Sequence, residues 1–348
     1  MFYIRTDANE TIALGHLMRC LAIADAVKML GEDVTFIKAD NYESIRIVEA
    51  GHAVICLNSD WNDMEGELPT LKTYITDDMI SAILVDSYQV TTKYMEELHQ
   101  LVKVFYMDDL ANQAYFVDAV INYAFADYSK VYEKLYSDYP TKCLLGSRYV
   151  PIRKAFQELK PREIQNKVSD ILVTTGGADP YHILSLVATR IATNLKYQNT
   201  MFHFVIGAFV EECEVDLIIR KAKRQRNIKY YRNISNMEEL MQRCDIAISA
   251  AGSTIYELCA CQTPTVCFAF ADNQLPGLAI MRQADVLRAI GDIRYKSTNQ
   301  IASELVNNMD ELQSVQIREI YAKRMHSVTD GKGAIRLAKE LITLGKQA

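Results

Sequence analysis

Residues 2–37, FYIRTDANETIALGHLMRCLAIADAVKMLGEDVTFI, decide the fold. Phe2–Arg5 is β-rich, His16–Leu30 repeats apolar residues at helical spacing, and Asp33–Ile37 is β-rich again. Gly31 falls where a helix end favours a left-handed backbone. Strand, helix and strand in that order form one unit of a parallel sheet. The alternation continues with strands at Ala82–Asp86 and Val102–Met107 and a helix over Lys93–Leu101 between them. A polar stretch from Pro151 to Ser169 interrupts it. It restarts with strands at Asp170–Thr174, Met201–Val205, Ile228–Tyr231, Asp245–Ser249 and Thr265–Phe268, and helices after Pro180, from Ser253 and after Asn273. The expected class is α/β, in two successive halves over residues 1–155 and 165–348, the second closing with C-terminal helices. The last of these, Gly333–Lys346, carries no sequence sign of where it packs.

Composition agrees with that division. The chain has 348 residues, and at roughly 150 residues per domain that is about two domains. Hydrophobic residues at 49% and charged residues at 24% describe an ordinary globular protein. Lys+Arg 38 against Asp+Glu 44 gives a net charge of −6, which argues against a general nucleic-acid binder. The stretch Met1–Asp7 lacks the features of a signal peptide, and the longest apolar runs, such as Val266–Ala271, are too short to span a bilayer. A cytoplasmic location is expected. The eight cysteines then read as reduced, mostly buried thiols. Cys259 and Cys261 lack a second closely spaced pair, so no metal site is expected; nor is a cofactor.

In open parallel sheets ligands bind beyond the carboxyl ends of the strands. The first such loop runs from Arg5 through Asp7 to Gly15, His16 and Arg19, ending at a helix start. Unpaired amides and the helix dipole favour an anion there, and a histidine there can take a proton from water or a hydroxyl near neutral pH. A capping or packing histidine is the plainer alternative. The second loop, Thr174–Pro180, offers Gly176 and Gly177 for close backbone approach, or is simply a turn. The third places Gly252, Ser253 and Thr254 where amides and hydroxyls can hold a pyrophosphate, with Glu257 able to accept from ribose hydroxyls. There the alternative is a helix capped by Ser253. The fourth is Ala271–Gln274, whose Asn273 and Gln274 both donate and accept. Asp86-Ser87-Tyr88 and Asp108-Asp109 end two strands and can bind sugar hydroxyls or orient His16, with a surface turn as the alternative.

Taken together these loops resemble a family. Arg5-Thr6-Asp7, Gly15-His16-Leu17-Met18-Arg19-Cys20, Asp86-Ser87-Tyr88, Asp108-Asp109 and Gly146–Arg153, with Arg148 inside it, occur in the order of the nucleotide-sugar hydrolases of pseudaminic acid biosynthesis and the related spore-coat polysaccharide proteins. Thr175–Pro180, Ala251–Glu257 and Asn273-Gln274 extend the resemblance to about residue 290. Ala13 replaces the first glycine of the family's loop, and Cys261 stands where a glycine commonly precedes x-Pro. The wider group is the two-domain GT-B enzymes that include the MurG glycosyltransferase. The resemblance implies two Rossmann-like domains facing an inter-domain cleft. It also implies UDP on the loops at Gly176, Gly252–Glu257 and Asn273-Gln274, and the sugar near Asp7, His16, Tyr88 and Asp109.

The implied reaction is hydrolysis of a UDP-linked deoxyamino sugar; in the family the substrate is UDP-2,4-diacetamido-2,4,6-trideoxy-β-L-altropyranose. His16 would deprotonate a water attacking the anomeric carbon opposite UDP, with inversion, and the scheme requires no metal. A GT-B glycosyltransferase, with an acceptor hydroxyl in place of water, and a catalytically silent nucleotide-sugar-binding protein are the competing readings. The sequence presents no clear apolar patch for docking to a membrane, which favours water over a lipid acceptor. It does not fix the oligomeric state.

Overall fold

The fold was obtained as a computed structural model that describes residues 2–9, 11–12, 14–77 and 82–346. Ala13, the departure from the family's glycine, lies outside these residues, as does Glu10. The chain divides into two compact units, the first running to Lys154 and resuming at Lys332, the second covering Ala155–Gly331.

In the first unit seven strands form one parallel sheet. They are β1 (Phe2–Thr6), β2 (Val34–Lys38), β3 (Ala53–Cys56), β4 (Ala82–Asp86), β5 (Lys103–Met107), β6 (Ala119–Asn122) and β7 (Lys142–Leu145), in the order β3-β2-β1-β4-β5-β6-β7. β1 and β4 are buried at every position, because a central parallel strand is covered on both faces and so is mostly apolar. One face packs the helix Gly15–Met29 through Leu17, Cys20, Ala24 and Val27; the other packs Leu68, Leu71, Tyr94 and Leu98. The first helix ends as expected: Gly31 has φ +89°, and Glu32 N–H donates to Val27 O across 3.3 Å.

In the second unit six strands form a separate parallel sheet. These are β8 (Asp170–Thr174), β9 (Met201–Ile206), β10 (Ile228–Arg232), β11 (Ile246–Ala250), β12 (Thr265–Ala269) and β13 (Arg288–Asp292), in the order β10-β9-β8-β11-β12-β13. Its core gathers Val173, Phe204, Ile248 and Phe268 with Leu305, Met309 and Tyr321 from the helices Thr298–Glu311 and Val315–Val328. Two arginines, half-buried Arg162 and buried Arg318, fasten the polar stretch 155–169 onto this unit. Arg162 donates to the carbonyls of Met241, Gln242 and Cys244, and Arg318 donates to those of Leu312, Gln313 and Gln165.

One sequence expectation needs correction. The helix Gly333–Lys346, placed with the second half by the range 165–348, belongs to the first unit. Ala334, Leu337, Ala338 and Leu341, spaced as one helical stripe, bury in the first unit's core beside Ala24 and Val27. The helix expected after Pro180 is present and starts at Ile183, where Asp179 accepts from the amides of Ile183 and Leu184 at 2.9 and 2.8 Å.

Candidate active site

Strand order reverses between β1 and β4: β2 and β3 lie on one side of β1, and β5 to β7 lie beyond β4. The loops leaving two such strands part to opposite faces, which opens a crevice at their carboxyl ends. His16, Arg19 and Cys20, at positions i, i+3 and i+4 of the first helix, share one face over that crevice. All three reach the same carboxylate, Asp86, the last residue of β4. His16 Nδ1 lies 2.6 Å from Asp86 Oδ1, Arg19 Nε and Nη2 donate to Oδ2 and Oδ1 at 2.7 and 2.5 Å, and Cys20 Sγ is 3.3 Å from Oδ2.

Asp86 is 1% exposed. Burial alone would raise its pKa, but the charge of Arg19 and the bond from His16 hold it well below the ordinary carboxylate range. An ionised carboxylate only accepts, so the proton between Asp86 and His16 sits on Nδ1. Nε2 is then the ring's basic nitrogen, in the arrangement that orients a general base.

A second carboxylate completes the group. Arg19 Nη1 donates to both oxygens of Asp109 at 2.9 and 2.8 Å, and to the Tyr123 hydroxyl at 2.7 Å. Tyr88 donates to Asp109 Oδ2 at 2.7 Å and sets its ring edge-on to His16, with centroids 4.7 Å apart. Burial and the Asp109 charge push the Tyr88 phenol far above its usual range, so it stays a donor. Burial also pushes the Tyr123 phenol up to about 12.

A cavity beside His16 is lined by Asp7, Ile12, Trp61, Asp86, Ser87, Tyr88 and Gln89. Asp7 is fixed by two bonds, from Arg5 Nη1 at 2.5 Å to Oδ2 and from Ala39 N–H at 2.8 Å to Oδ1. Arg5 is fully buried, and its other side-chain donors engage Glu67 in a two-point pair at 2.7 and 2.6 Å. Its donors are thus spent on protein carboxylates. Arg5 holds Asp7 in place, and a contact from Arg5 to a ligand is not what this geometry offers.

Sequence reasoning placed His16, Arg19, Asp7, Tyr88 and Asp109 together, and they are together. Gly15 opens the helix at the same place, where an added Cβ would meet nothing within 4 Å. Asp108 has a different task from Asp109, accepting from the Tyr132 hydroxyl and from the amides of Leu110 and Ala111. Arg148 stands apart, exposed on the turn after β7, its guanidinium 4.9 Å over the Tyr149 ring. Trp61, Gln89, Glu67 and Tyr123 were missed. Only Trp61 carried a signal, as the single tryptophan of the chain.

In the second unit the remaining loops leave the neighbouring strands β8, β11 and β12 at one edge. Gly176 adopts φ +81°, and the loop runs so close to the end of β9 that a Cβ on Gly207 would sit 2.1 Å from Gly176 O. Thr175 Oγ1 is buried without a hydrogen-bond partner. Gly252 and Ser253 are exposed, and the Ser253 side chain makes no capping bond to the helix Thr254–Ala260, so the capped-helix alternative does not hold. Glu257 lies half-buried one turn inside that helix. Asn273 is exposed, while Gln274 Oε1 accepts from Phe270 N–H at 2.9 Å. Among the described residues no group of three or more His, Cys, Asp or Glu is placed to hold a metal ion. Nor is any helix among them long and apolar enough to cross a membrane.

These two units, each a parallel sheet with interleaved helices, define the fold as α/β of the GT-B type. MurG of Acinetobacter baumannii superposes with a TM-score of 0.67, at 14% identity, over 98% of this chain and 99% of that one. Residues 171–341 match the Glycosyltransferase family 28 C-terminal domain. The resemblance drawn from the loops is borne out among relatives. The chain is 23% identical to the spore coat polysaccharide biosynthesis protein SpsG of Bacillus subtilis, covering 99% of this chain and 98% of SpsG. It is 24% identical to a Helicobacter pylori protein named pseudaminic acid cytidylyltransferase and UDP-2,4-diacetamido-2,4,6-trideoxy-beta-L-altropyranose hydrolase, over 96% of this chain. The chain spans 54% of the length of that protein and of a second curated relative.

Proposed function

We propose that this protein hydrolyses a UDP-linked amino sugar, with water activated by His16 and inversion at the anomeric carbon. The observation that carries the reading is the bond between His16 Nδ1 and the buried, ionised Asp86, which leaves Nε2 as the base at the cavity of the first unit. Water gives a proton to Nε2 as its oxygen bonds to the anomeric carbon, and the bond from that carbon to the UDP oxygen breaks. UDP leaves as a stable anion, so it needs donors more than a proton, and the amide-rich loops at Gly176-Gly177 and Gly252–Thr254 would supply them. Glu257 and Asn273 would take the ribose and base side of the nucleotide. The hydrolase half of the Helicobacter pylori protein's name supports the same chemistry and the class of sugar, a diacetamido-trideoxy pyranose.

The match to a glycosyltransferase C-terminal domain supports a second reading, transfer of the sugar to an acceptor hydroxyl at the same base. UDP release separates the two. Purified protein incubated with a panel of UDP-sugars and no acceptor is expected to release UDP from an acetamido-deoxy sugar. Release only on addition of an acceptor would establish transfer instead.

A further inference from the structure

Arg19 ends a loop that the sequence places at a ligand site, but every side-chain nitrogen it has is engaged inside the protein. Nε and Nη2 hold both oxygens of Asp86, and Nη1 holds Asp109 and Tyr123. The side chain is 9% exposed. Nη2 also lies 3.1 Å from His16 Nδ1. Both nitrogens carry hydrogens that converge on Asp86 Oδ1, so that approach places a fixed positive charge against the imidazole ring and adds no bond.

We propose that Arg19 is a positioning residue that limits how strongly Asp86 draws a second proton onto His16. The inference rests on His16 being the base. A histidine bonded to a buried, uncompensated carboxylate becomes an ion pair with it, and a doubly protonated ring accepts no proton from water. Arg19 opposes that in two ways: it shares the Asp86 charge, and it repels a positive ring directly. The other groups facing the ring or its partners do not replace it. Cys20 and Tyr88 are neutral donors, Tyr123 donates no charge, Asp109 is itself bound by Arg19, and Asp7 is held by Arg5. Among the described residues Arg19 is the cation that bonds Asp86.

The test is an NMR pH titration of ¹⁵N-histidine-labelled protein, with the His16 signals assigned by their loss in His16→Asn. In the wild type the ring is expected as the Nδ1–H tautomer. In Arg19→Met the protonation midpoint is expected to rise by about one to three pH units, as when an opposing charge is taken from a close pair. Arg19→Lys, which keeps charge but loses the fork, should fall between. The acidic limb of UDP release against pH should move by the same amount in kcat, with KM unchanged. A midpoint in Arg19→Met equal to or below the wild type overturns the proposal, as does a wild-type Nε2–H tautomer. Should Arg19→Met fail to fold, Arg19→Lys decides alone: a raised midpoint supports the proposal and an unmoved one refutes it. The titration needs no substrate, so failure of the hydrolase reading, seen as no UDP release from any sugar, is distinguishable from failure of this one.

Discussion

Replacing Asp86 by Asn tests the geometry of the base with almost no change in volume. Asp86 now accepts from four donors: His16 Nδ1, Arg19 Nε, Arg19 Nη2 and Cys20 Sγ. Asparagine has one oxygen and no charge, so nothing fixes the ring proton on Nδ1, and the negative partner of the imidazolium that forms when Nε2 takes a proton is lost. The same change in a serine-protease triad lowers kcat about 10⁴-fold, and loss of general-base help alone is worth about 10²–10⁴-fold. Turnover of Asp86→Asn should therefore fall by about 10²–10⁴-fold. The fold should lose about 1–3 kcal/mol, because one buried acceptor goes missing while Arg19 keeps another. UDP affinity, which we propose rests on loops of the second unit, should not change. UDP release, thermal unfolding and calorimetric UDP binding measure the three quantities separately. Turnover within about threefold of wild type, in a folded variant, would refute the assignment of His16 Nε2 as the base.

Further outcomes follow from the same geometry. Asp86, whose pKa is lowered in the folded state, stabilises the protein above the unfolded carboxylate value of about 4, and that stability is lost as pH falls through the acid range toward the folded value. Acid unfolding of Asp86→Asn should accordingly show a shallower loss of stability below about pH 4 than the wild type. Arg5→Met leaves Glu67 and Asp7 buried without their shared cation, and chemical denaturation should show a loss of about 3–5 kcal/mol. Gly207→Ala drives a Cβ into the backbone of Gly176 and Gly177, and calorimetry should find weaker UDP binding. Tyr88→Phe removes one bond to Asp109 and should lower turnover by about two- to tenfold with little effect on unfolding.

The parts of the fold legible in the sequence are those whose residues are buried on both sides. β1, β4, β8, β11 and β12 read as short runs dominated by apolar residues because central parallel strands are covered on both faces. The strands that went unread, β3, β6, β7 and β13, lie at or toward the sheet edges, and three of them have only four residues. The helix Met64–Asp77 is masked in sequence by Pro69 in its interior. The apolar stripe of Gly333–Lys346 announces that it buries a face, yet says nothing about which sheet receives it. At the site, the loop at His16 and the carboxylates at Asp86 and Asp109 stand out by residue type. The role of Arg19 does not, because whether an arginine meets a ligand or two carboxylates depends on residues 67 and 90 positions away.

Attack of water, activated by His16, at the anomeric carbon is measured directly by turnover of an acetamido-deoxy UDP-sugar in ¹⁸O-water without acceptor, with the released UDP examined by mass spectrometry and ³¹P NMR. UDP free of the heavy isotope is expected, formed at a rate that His16→Ala lowers by about 10²–10⁴-fold. Isotope in the UDP phosphate, or a rate untouched by His16→Ala, would contradict it.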